Sequence, residues 1–377
     1  MFGFGAALLA SPIALRADPA PPAPGEAPVA LLVDLSSGQT LHAHEADRRF
    51  LPASVTKVMT AYLAFEMLAD GRLKPEQRFK VSDATFEQWS GTGSSLFLQR
   101  GEEVSVDDLL HGITTVSAND GCVVLAEGAL GSVDKWVALM NSTARKLGMA
   151  DSHFGTPNGW PDEGRTFTTA RDLARLTRAI FERHPDLYAR YFGHRGFAHN
   201  GIAQPNHDPI TGVVPGADGI KTGFTREAGY NFLGTASRDG RRLVMVLAGI
   251  DHPQDRARIA RDYIEWGFAE FAPRPIFAKG ATIGRAKVQD GAERSVTLRA
   301  AAPVIADIPV GSDPRVTLAL RYRGPLQAPI AKGARVAELE VRIDGFAPYR
   351  VPLEAASEVP KANIWQRLVN GVLGLFA

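Results

Sequence analysis

The sequence predicts an α+β chain: an antiparallel sheet with a helical subdomain, followed by a small all-β sandwich domain and a C-terminal amphipathic helix. A continuous apolar run at residues 29–35 predicts a central strand. Helical patterns accumulate between residues 54 and 147, and strand patterns return at 217, which indicates helices inserted into a sheet. From about residue 274, short alternating segments between Gly and Pro turns predict the β domain. These segments are residues 295–299, 316–322, 336–343 and 349–353.

The first 28 residues are predicted to lie outside this fold. Residues 1–17 form an apolar run that ends in Ala-Leu-Arg-Ala and resembles a secretory signal with a small-residue cleavage site, although the usual preceding basic residues are missing. A short transmembrane anchor is the alternative, but Pro12 and Arg16 interrupt the run, and about 20 apolar residues are needed to span a bilayer. Residues 18–28 are rich in Pro and Ala and predict a linker.

Composition excludes several classes of function. The 42 basic and 41 acidic residues nearly cancel, so nothing global points to nucleic acid. The single cysteine, Cys122, rules out an internal disulfide, and its apolar surroundings at 122–126 predict a buried thiol. His42 and His44 form the closest histidine pair, but no third ligand is suggested, so we expect them to face solvent rather than a metal.

A Ser-x-x-Lys tetrapeptide, Ser54 to Lys57, opens a long apolar stretch. Residues 58–69 contain only two polar residues and are followed by Gly71, which predicts a buried helix that begins near Ser54. The helix places Ser54 and Lys57 one turn apart on one face. Burial of the ammonium lowers its pKa and lets the amine accept a proton from the hydroxyl, which activates the serine. Taken alone, the tetrapeptide is more typical of a serine N-cap beside a solvated lysine.

Two features follow this helix. Residues 73–99 are largely polar and contain Gly91 and Gly93, which predicts a surface loop that borders a cleft. Ser105-x-x-Asp108 has the form of a capping box and predicts a helix at 109–115.

A Ser-x-Asn triplet, Ser117 to Asn119, then lies between two helical runs. In a functional interpretation, Ser117 relays a proton between Lys57 and a leaving amine, and the Asn119 amide holds a substrate carbonyl. Alone, the triplet is equally typical of an ordinary turn.

A Lys-Thr-Gly triplet, Lys221, Thr222 and Gly223, leads into a predicted hairpin with strands at 230–237 and 243–249. A strand with these residues suits an extended peptide: the ammonium and hydroxyl bind a carboxylate, and the glycine lets the two backbones approach. Alone, the triplet is more typical of a solvated strand end.

These three motifs occur in the order that is typical of the penicillin-recognising serine acyl transferases, which this sequence resembles. More narrowly, it resembles the low-molecular-mass penicillin-binding proteins that act as D-alanyl-D-alanine carboxypeptidases. The resemblance covers nearly the whole chain after the signal, including a Tyr-Arg-Gly-Pro-Leu stretch in the β domain. Supporting stretches are residues 52–57, 93–96, 117–120 with Cys122, 218–225 and 228–231.

The resemblance implies a mechanism. Lys57 deprotonates Ser54, which attacks the penultimate D-Ala carbonyl; Ser117 and Lys57 return the proton to the departing D-Ala, and water hydrolyses the acyl-enzyme. The backbone N–H groups of Ser54 and Phe224 stabilise the oxyanion, while Lys221 and Thr222 bind the carboxylate of the departing D-Ala. The implied partners are the peptidoglycan pentapeptide and, as covalent inhibitors, β-lactams. No metal or organic cofactor is implied.

Two departures from the family's pattern affect the expected cleft. An arginine in an Asn-Arg-Asn stretch of many relatives corresponds to His207, between Asn206 and Asp208, which implies a different arrangement for carboxylate binding. Phe224 stands where carboxypeptidase relatives often have histidine, a position expected to influence the balance with β-lactamase activity. Arg256 lies where relatives have a site arginine, in a predicted helix at 254–271 whose arginines are mostly expected to be solvated.

The resemblance also implies the division of the chain: a D,D-transpeptidase-like catalytic domain at 29–273 and a C-terminal β domain at 274–357. The β domain carries no evident catalytic group, so we expect it to be a spacer or a docking unit. Two alternative functions stay open, a β-lactamase and a non-catalytic cell-wall scaffold. Against the first, no clear match to a deacylating glutamate motif lies between Ser117 and Lys221; against the second, a scaffold has no need of a buried lysine.

The last 17 residues, 361–377, predict an amphipathic helix that contains no acid. The run is too short and polar to span a bilayer, which favours an interfacial helix with Trp365 as its anchor, although a helix packed on the β domain is the alternative. We therefore expect a periplasmic enzyme held on the outer face of the inner membrane. The apolar stripe consists of Ile364, Trp365, Leu368, Val369, Val372, Leu373 and Phe376.

Overall fold

The computed structural model describes residues 20–363 and Gln366. The predicted signal at 1–17, the start of the predicted linker and, apart from Gln366, residues 364–377 of the predicted C-terminal helix lie outside the described residues. In the described part of the chain, no helix is both long enough and apolar enough to cross a membrane.

Seventeen strands lie in the described residues. In chain order they are β1 (Val29–Asp34), β2 (Thr40–His44), β3 (Arg78–Lys80), β4 (Glu103–Ser105), β5 (Gly196–His199), β6 (Ile202–Pro205), β7 (Ala217–Thr225), β8 (Gly229–Arg238), β9 (Arg241–Ile250), β10 (Phe271–Phe277), β11 (Thr282–Gln289), β12 (Ser295–Ala300), β13 (Val304–Pro309), β14 (Val316–Arg321), β15 (Leu326–Gln327), β16 (Arg335–Ile343) and β17 (Tyr349–Ala355).

Eight α-helices accompany them between residues 20 and 363. They are α1 (Lys57–Ala69), α2 (Asp83–Trp89), α3 (Val106–His111), α4 (Asn119–Leu130), α5 (Val133–Lys146), α6 (Ala170–Arg183), α7 (Pro185–Tyr191) and α8 (Pro253–Ala269). A 3-10 turn, Ala53–Thr56, precedes α1, and a π-helical turn, Gly112–Val116, follows α3.

The first domain is built on a five-stranded antiparallel sheet with the strand order β2-β1-β9-β8-β7. Strand β1 lies in the sheet interior, between β2 and β9, and its alternate residues serve different cores. Leu31 and Val33 pack with the helical subdomain, whereas Ala30 and Leu32 pack with α8. Because both faces of the sheet are covered, all six residues of β1 are buried. This double coverage explains the continuous apolar run in the sequence.

The helical subdomain lies between β2 and β7 in the chain, as predicted. Helix α1 is apolar on all sides because it lies inside this subdomain, with ten of its thirteen residues buried. The hairpin of β8 and β9, joined at Asp239 and Gly240, is also as predicted. Ser105 caps the next helix by accepting a hydrogen bond from Asp108 N at 3.0 Å, so this helix begins at Val106 rather than at 109.

Two expectations were wrong in part. Residues 73–99 are not one loop, because buried Phe79 lies in β3, and Ser82 caps α2 by accepting a hydrogen bond from Thr85 N. His42 does not simply face solvent: its Nδ1 lies 2.7 Å from the Tyr263 hydroxyl, and burial lowers the pKa of this histidine. The pairing of β3 with β4 and the contact of His42 with Tyr263 join residues that are distant in the sequence, so local patterns do not show them. The Ser82 cap is local and was overlooked.

The C-terminal region is an all-β domain, as predicted. A six-stranded sheet, β14-β16-β17-β12-β11-β15, packs with the β10-β13 pair around one apolar core. The four predicted strands correspond to β12, β14, β16 and β17. Strands β10, β11, β13 and β15 had not been predicted. In two of them the usual alternation is disrupted, by Pro273 and Pro275 in β10 and by Gly284 in β11.

Buried polar groups join the two domains. The Gln39 side chain donates to the Asp307 carbonyl oxygen and accepts from Asp307 N, both at 2.8 Å. Arg241 donates to the Asp34 carboxylate at 2.5 Å and to the Phe271 carbonyl oxygen at 2.7 Å, and its guanidinium lies 3.2 Å from the Asp307 carboxylate. Burial and then the charge of Asp34 raise the pKa of Asp307 to about 7. Arg241 therefore holds two buried carboxyl groups together across the junction.

We expect Arg241→Ala to destabilise the protein by about 3–5 kcal/mol, because it leaves buried Asp34 and Asp307 without their cation. Urea unfolding followed by circular dichroism measures the loss. Arg274→Ala is the matched control, since it removes an exposed ion pair with Asp313 that contributes at most about 1 kcal/mol. Equal losses in the two variants would contradict the structural importance of the buried cluster.

Candidate active site

Ser54 lies in the 3-10 turn that leads into α1, and Lys57 is the first residue of that helix. Lys57 Nζ donates to three acceptors: Ser54 Oγ at 2.7 Å, Asn119 Oδ1 at 2.8 Å and the Asn158 carbonyl oxygen at 2.7 Å. These acceptors match the three protons of an ammonium group. In its neutral form, the same nitrogen can instead accept the proton of the Ser54 hydroxyl.

The protonation of Lys57 is set by its burial. The side chain is 1% exposed, and burial lowers its pKa to about 8 because the charged form loses its hydration. A substantial neutral fraction at physiological pH is what a general base requires. Cys122 is buried nearby, as predicted, and burial raises its pKa to about 12, so the thiol stays uncharged.

Two glycines allow the backbone to close tightly around the Ser54 turn. A Cβ atom on Gly223 of β7 would lie 2.4 Å from the Pro52 carbonyl oxygen and 3.2 Å from Ser54 N. A Cβ atom on Gly159 would lie only 1.8 Å from the Ala53 carbonyl oxygen. The turn is thus held between β7 and the segment around Gly159, and neither glycine has room for a side chain.

Ser117 and Asn119 lie at the junction of the π-helical turn and α4. Ser117 adopts a left-handed conformation with φ +66°, is 4% exposed and lines the same cleft as Ser54. The Asn119 Nδ2 atom donates to the Thr92 carbonyl oxygen at 3.0 Å, which directs Oδ1 to Lys57. The second Nδ2 proton of Asn119 is the one that could meet a substrate carbonyl.

Asp120 holds one wall of the cleft. Its buried carboxylate accepts hydrogen bonds from Ser95 Oγ at 2.6 Å, Leu96 N at 3.0 Å and Leu98 N at 3.2 Å. It thereby fixes the chain that follows cleft-lining Gly93 and Ser94. The sequence analysis had predicted that this glycine-bearing stretch borders a cleft.

Strand β7 is an edge strand of the sheet and carries the Lys-Thr-Gly triplet. Lys221 and Thr222 are 4% and 8% exposed, and Lys221 Nζ donates to the Thr222 carbonyl oxygen at 3.1 Å. Burial, and secondarily the positive charge of Lys57, lower the pKa of Lys221 well below its ordinary value. The two amines are therefore electrostatically coupled across the site.

The cleft has a volume of about 740 Å³ and an aromatic rim. Trp160 is 39% exposed, and Phe224 is 49% exposed and stacks on Tyr230 with ring centroids 4.2 Å apart. The Arg256 guanidinium lies 5.6 Å from the centroid of the Tyr230 ring. His207 also lines the cleft, so both residues that depart from the family's pattern, together with Arg256, border it.

The structure brings the sequence-predicted site residues together. Six of them line the cleft, Lys57 is bonded to Ser54, and Lys221 precedes Thr222 on β7. The segment from Pro157 to Trp160 had been missed. Its Asn-Gly dipeptide signals a turn, but nothing in the sequence tells which group its carbonyl oxygen contacts. The six cleft-lining residues are Ser54, Ser117, Asn119, Thr222, Gly223 and Phe224.

Two family models match this chain. Residues 17–252 match the peptidase S11 family of D-alanyl-D-alanine carboxypeptidases. Residues 271–361 match the C-terminal domain of penicillin-binding protein 5. The two matches cover the sheet-and-helix domain and the all-β domain in turn.

Individual proteins give the same assignment. The D-alanyl-D-alanine carboxypeptidase DacD of Salmonella typhimurium is 33% identical over 357 residues, or 93% of this chain and 90% of that protein. The crystal structure of penicillin-binding protein 5 from Haemophilus influenzae has a TM-score of 0.75 and 31% identity over 89% of this chain and 98% of that one. The ampicillin-bound penicillin-binding protein D2 of Listeria monocytogenes has a TM-score of 0.56 and 28% identity over 64% of this chain and 97% of that one. This chain, with a penicillin-binding fold followed by an all-β domain, therefore belongs to the D-alanyl-D-alanine carboxypeptidases of the peptidase S11 family.

Proposed function

We propose that this carboxypeptidase is serine-type: it removes the terminal D-alanine from peptidoglycan pentapeptides through an acyl-enzyme on Ser54. The observation that carries the proposal is the 2.7 Å contact between Ser54 Oγ and the buried amine of Lys57. Lys57 in its neutral form takes the hydroxyl proton while Ser54 attacks the carbonyl of the penultimate D-alanine. The bond to the terminal D-alanine then breaks, and Ser117 and Lys57 pass a proton to its nitrogen.

The cleft orients the peptide for this attack. An extended substrate can lie along the outer edge of β7, where Gly223 brings the strand backbone close to Ser54 N. The backbone N–H groups of Ser54 and Phe224 are the proposed oxyanion donors. Lys221 and Thr222 bind the terminal carboxylate, and the second Nδ2 proton of Asn119 holds a substrate carbonyl.

Hydrolysis of the acyl-enzyme by water completes the cycle. The family match supports the carboxypeptidase and gives no support to the β-lactamase or scaffold alternatives. Asp162 lies in the same segment as Asn158, whose carbonyl oxygen accepts a hydrogen bond from Lys57. The Asp162 carboxylate accepts hydrogen bonds from Thr166 N and Thr166 Oγ1, so it is engaged within its own segment. We also propose that β-lactams acylate Ser54, in keeping with the ampicillin-bound form of the Listeria relative.

The cellular setting is part of the same proposal. Residues 1–17 direct export to the periplasm, and the chain after Asn363 lies as an amphipathic helix on the outer face of the inner membrane. The predicted helix start at residue 361 was wrong, because Lys361 forms a β-bridge with Gly291. Asn363 and Gln366 exchange reciprocal 2.9 Å hydrogen bonds between side chain and backbone N–H, the geometry of a capping box. This supports a helix that begins next to Asn363.

We expect Ser54→Ala to lower the release of D-alanine from a muropeptide pentapeptide and from diacyl-Lys-D-Ala-D-Ala by more than about a thousandfold, because the nucleophile is lost. A coupled D-amino acid oxidase assay measures the product. Ser312→Ala, which changes an exposed serine of the β domain, is the control and should leave release unchanged. Penicillin labelling that persists in Ser54→Ala would assign the acyl-enzyme to another residue.

We expect kcat to rise with pH and to level off above about 8, because Lys57 acts as a base only when neutral and its pKa is lowered to about 8. Below that pH, the neutral fraction falls about tenfold per unit. Steady-state rates between pH 5.5 and 9.5, with circular dichroism to monitor folding, test this dependence. Lys57→Arg should be inactive throughout, and a kcat that is flat from pH 6 to 8 would argue against Lys57 as the base.

We expect deletion of residues 363–377 to abolish co-sedimentation with anionic lipid vesicles while release of D-alanine from a soluble peptide is unchanged. The apolar stripe, and not only the chain length, should matter. Trp365→Ser is therefore expected to weaken sedimentation, whereas Asn370→Ser on the polar face should not. Undiminished sedimentation of the truncated chain would remove the membrane-anchor role.

A further inference from the structure

The direction of the peptide in the cleft places its third residue beside the far end of β7. Under the proposed function, the terminal carboxylate lies at Lys221, and the carbonyl that is attacked lies at Ser54, next to Gly223. The third residue of the pentapeptide precedes the two D-alanines, so it lies further along the strand, beside Phe224 and Thr225, since an extended chain advances about 3.3 Å per residue. Its side chain is therefore recognised, if at all, at this end of the cleft.

Trp160 forms a fixed apolar surface at this end of the cleft. It borders both the cleft and a narrow pocket that adjoins it, and Thr225 borders the same two spaces. A Cβ atom on Gly93 would lie 2.9 Å from the indole ring, which is also edge-on to Trp89 with ring centroids 5.5 Å apart. Trp160 N donates to Asn158 Oδ1 at 3.0 Å. The ring is thus held in place, yet 39% of the residue is exposed, which leaves an apolar face for the methylene groups of a long side chain.

Two side chains of opposite charge lie in the turn between β7 and β8. Arg226 and Glu227 are both exposed and both line the cleft, and Glu227 also borders the narrow pocket beside Trp160. Ala228 N donates to Thr225 Oγ1 at 3.0 Å, which fixes the turn. Within the part of the chain that the structure describes, neither charged side chain forms an ion pair or a hydrogen bond with another residue. Both charges are therefore free to meet a ligand.

We propose that Trp160, Arg226 and Glu227 form a binding site for the side chain of the third peptide residue, and that this site selects a long aliphatic side chain ending in both an ammonium and a carboxylate group. Diaminopimelate has such a side chain, whereas lysine ends in an ammonium alone. Glu227 pairs with the ammonium, Arg226 pairs with the carboxylate, and the indole covers the methylene groups. The inference rests on the proposed function, because it requires the pentapeptide to lie along β7.

The pair of opposite charges explains the selectivity. The ammonium of a lysine peptide meets attraction from Glu227 and repulsion from Arg226, and at similar distances these effects nearly cancel. A side chain that carries both charges gives each of the two residues an opposite partner. Because the site is open to water, which screens such pairs, we expect selectivity of about three- to tenfold rather than an absolute requirement.

The release of D-alanine from four pentapeptides that differ only in the third residue tests the two charges. The third residue is diaminopimelate, lysine, Nε-acetyl-lysine or alanine, and kcat/KM should be about three- to tenfold higher with diaminopimelate than with lysine. Arg226→Gln removes the repulsion, so it should raise kcat/KM for the lysine peptide and bring this ratio near one. Glu227→Gln leaves only the repulsion, so the lysine peptide should fall below the acetyl-lysine peptide. Glu293→Gln and Arg294→Gln, an adjacent exposed pair in the β domain, are the matched controls and should leave the ratio unchanged.

Trp160→Ala tests the apolar surface. Loss of the contact should raise KM for the diaminopimelate and lysine peptides but not for the alanine peptide, which lacks the methylene groups. The Asn158 carbonyl oxygen accepts a hydrogen bond from Lys57, so an indirect effect is also measurable. A fall in kcat that is equal for all four peptides would show that Trp160 only positions Lys57 and would overturn its part in the binding site.

The remaining outcomes decide the proposal as a whole. A diaminopimelate-to-lysine ratio near one in the unaltered enzyme, or a ratio that persists in both charge variants, would show that Arg226 and Glu227 are merely solvated and would overturn the proposal. An unaltered enzyme that releases D-alanine from none of the four peptides would refute the proposed function instead, so the two failures can be told apart.

Discussion

The burial of one amine, that of Lys57, constrains the rest of the active site. Its three acceptors come from three separate parts of the chain: the turn before α1, the start of α4, and the segment before Trp160. A buried ammonium with an unpaired proton is costly, so these parts must meet at one nitrogen. All three acceptors lie between β2 and β7, in the inserted helical subdomain. Its role in the fold is thus inseparable from its role in setting the chemistry of Ser54.

Lys221 is a second buried amine in the active site, and its protonation also depends on its surroundings. Burial disfavours the ammonium forms of both Lys57 and Lys221, and the positive charge of Lys57 lowers the pKa of Lys221 further. Under the proposed function, a substrate carboxylate beside Lys221 would stabilise the ammonium form of that side chain.

The sequence was sufficient where local patterns determine structure. Local patterns predicted four features, because each depends on neighbouring residues. They are the apolar run of β1, the buried helix after Ser54, the β8–β9 hairpin and the order of the three motifs. Contacts between residues that are distant in the sequence could not be predicted. Asn158 contributes a backbone carbonyl, which any residue possesses, and the bond from His42 to Tyr263 joins positions 221 residues apart. The strands β10 and β11 were missed because Pro and Gly disrupt their alternation.

The buried contacts of Gln39 and Arg241 with Asp307 bear on where the enzyme can work. These contacts oppose bending at the junction between the catalytic sheet and the β sandwich, since bending would leave buried polar groups without their partners. With little bending at the junction, the β domain keeps a constant position relative to the catalytic domain. If the C-terminal end rests on a surface, the mouth of the cleft stands at a constant height above it, and the enzyme trims the peptides within one thin layer of the wall.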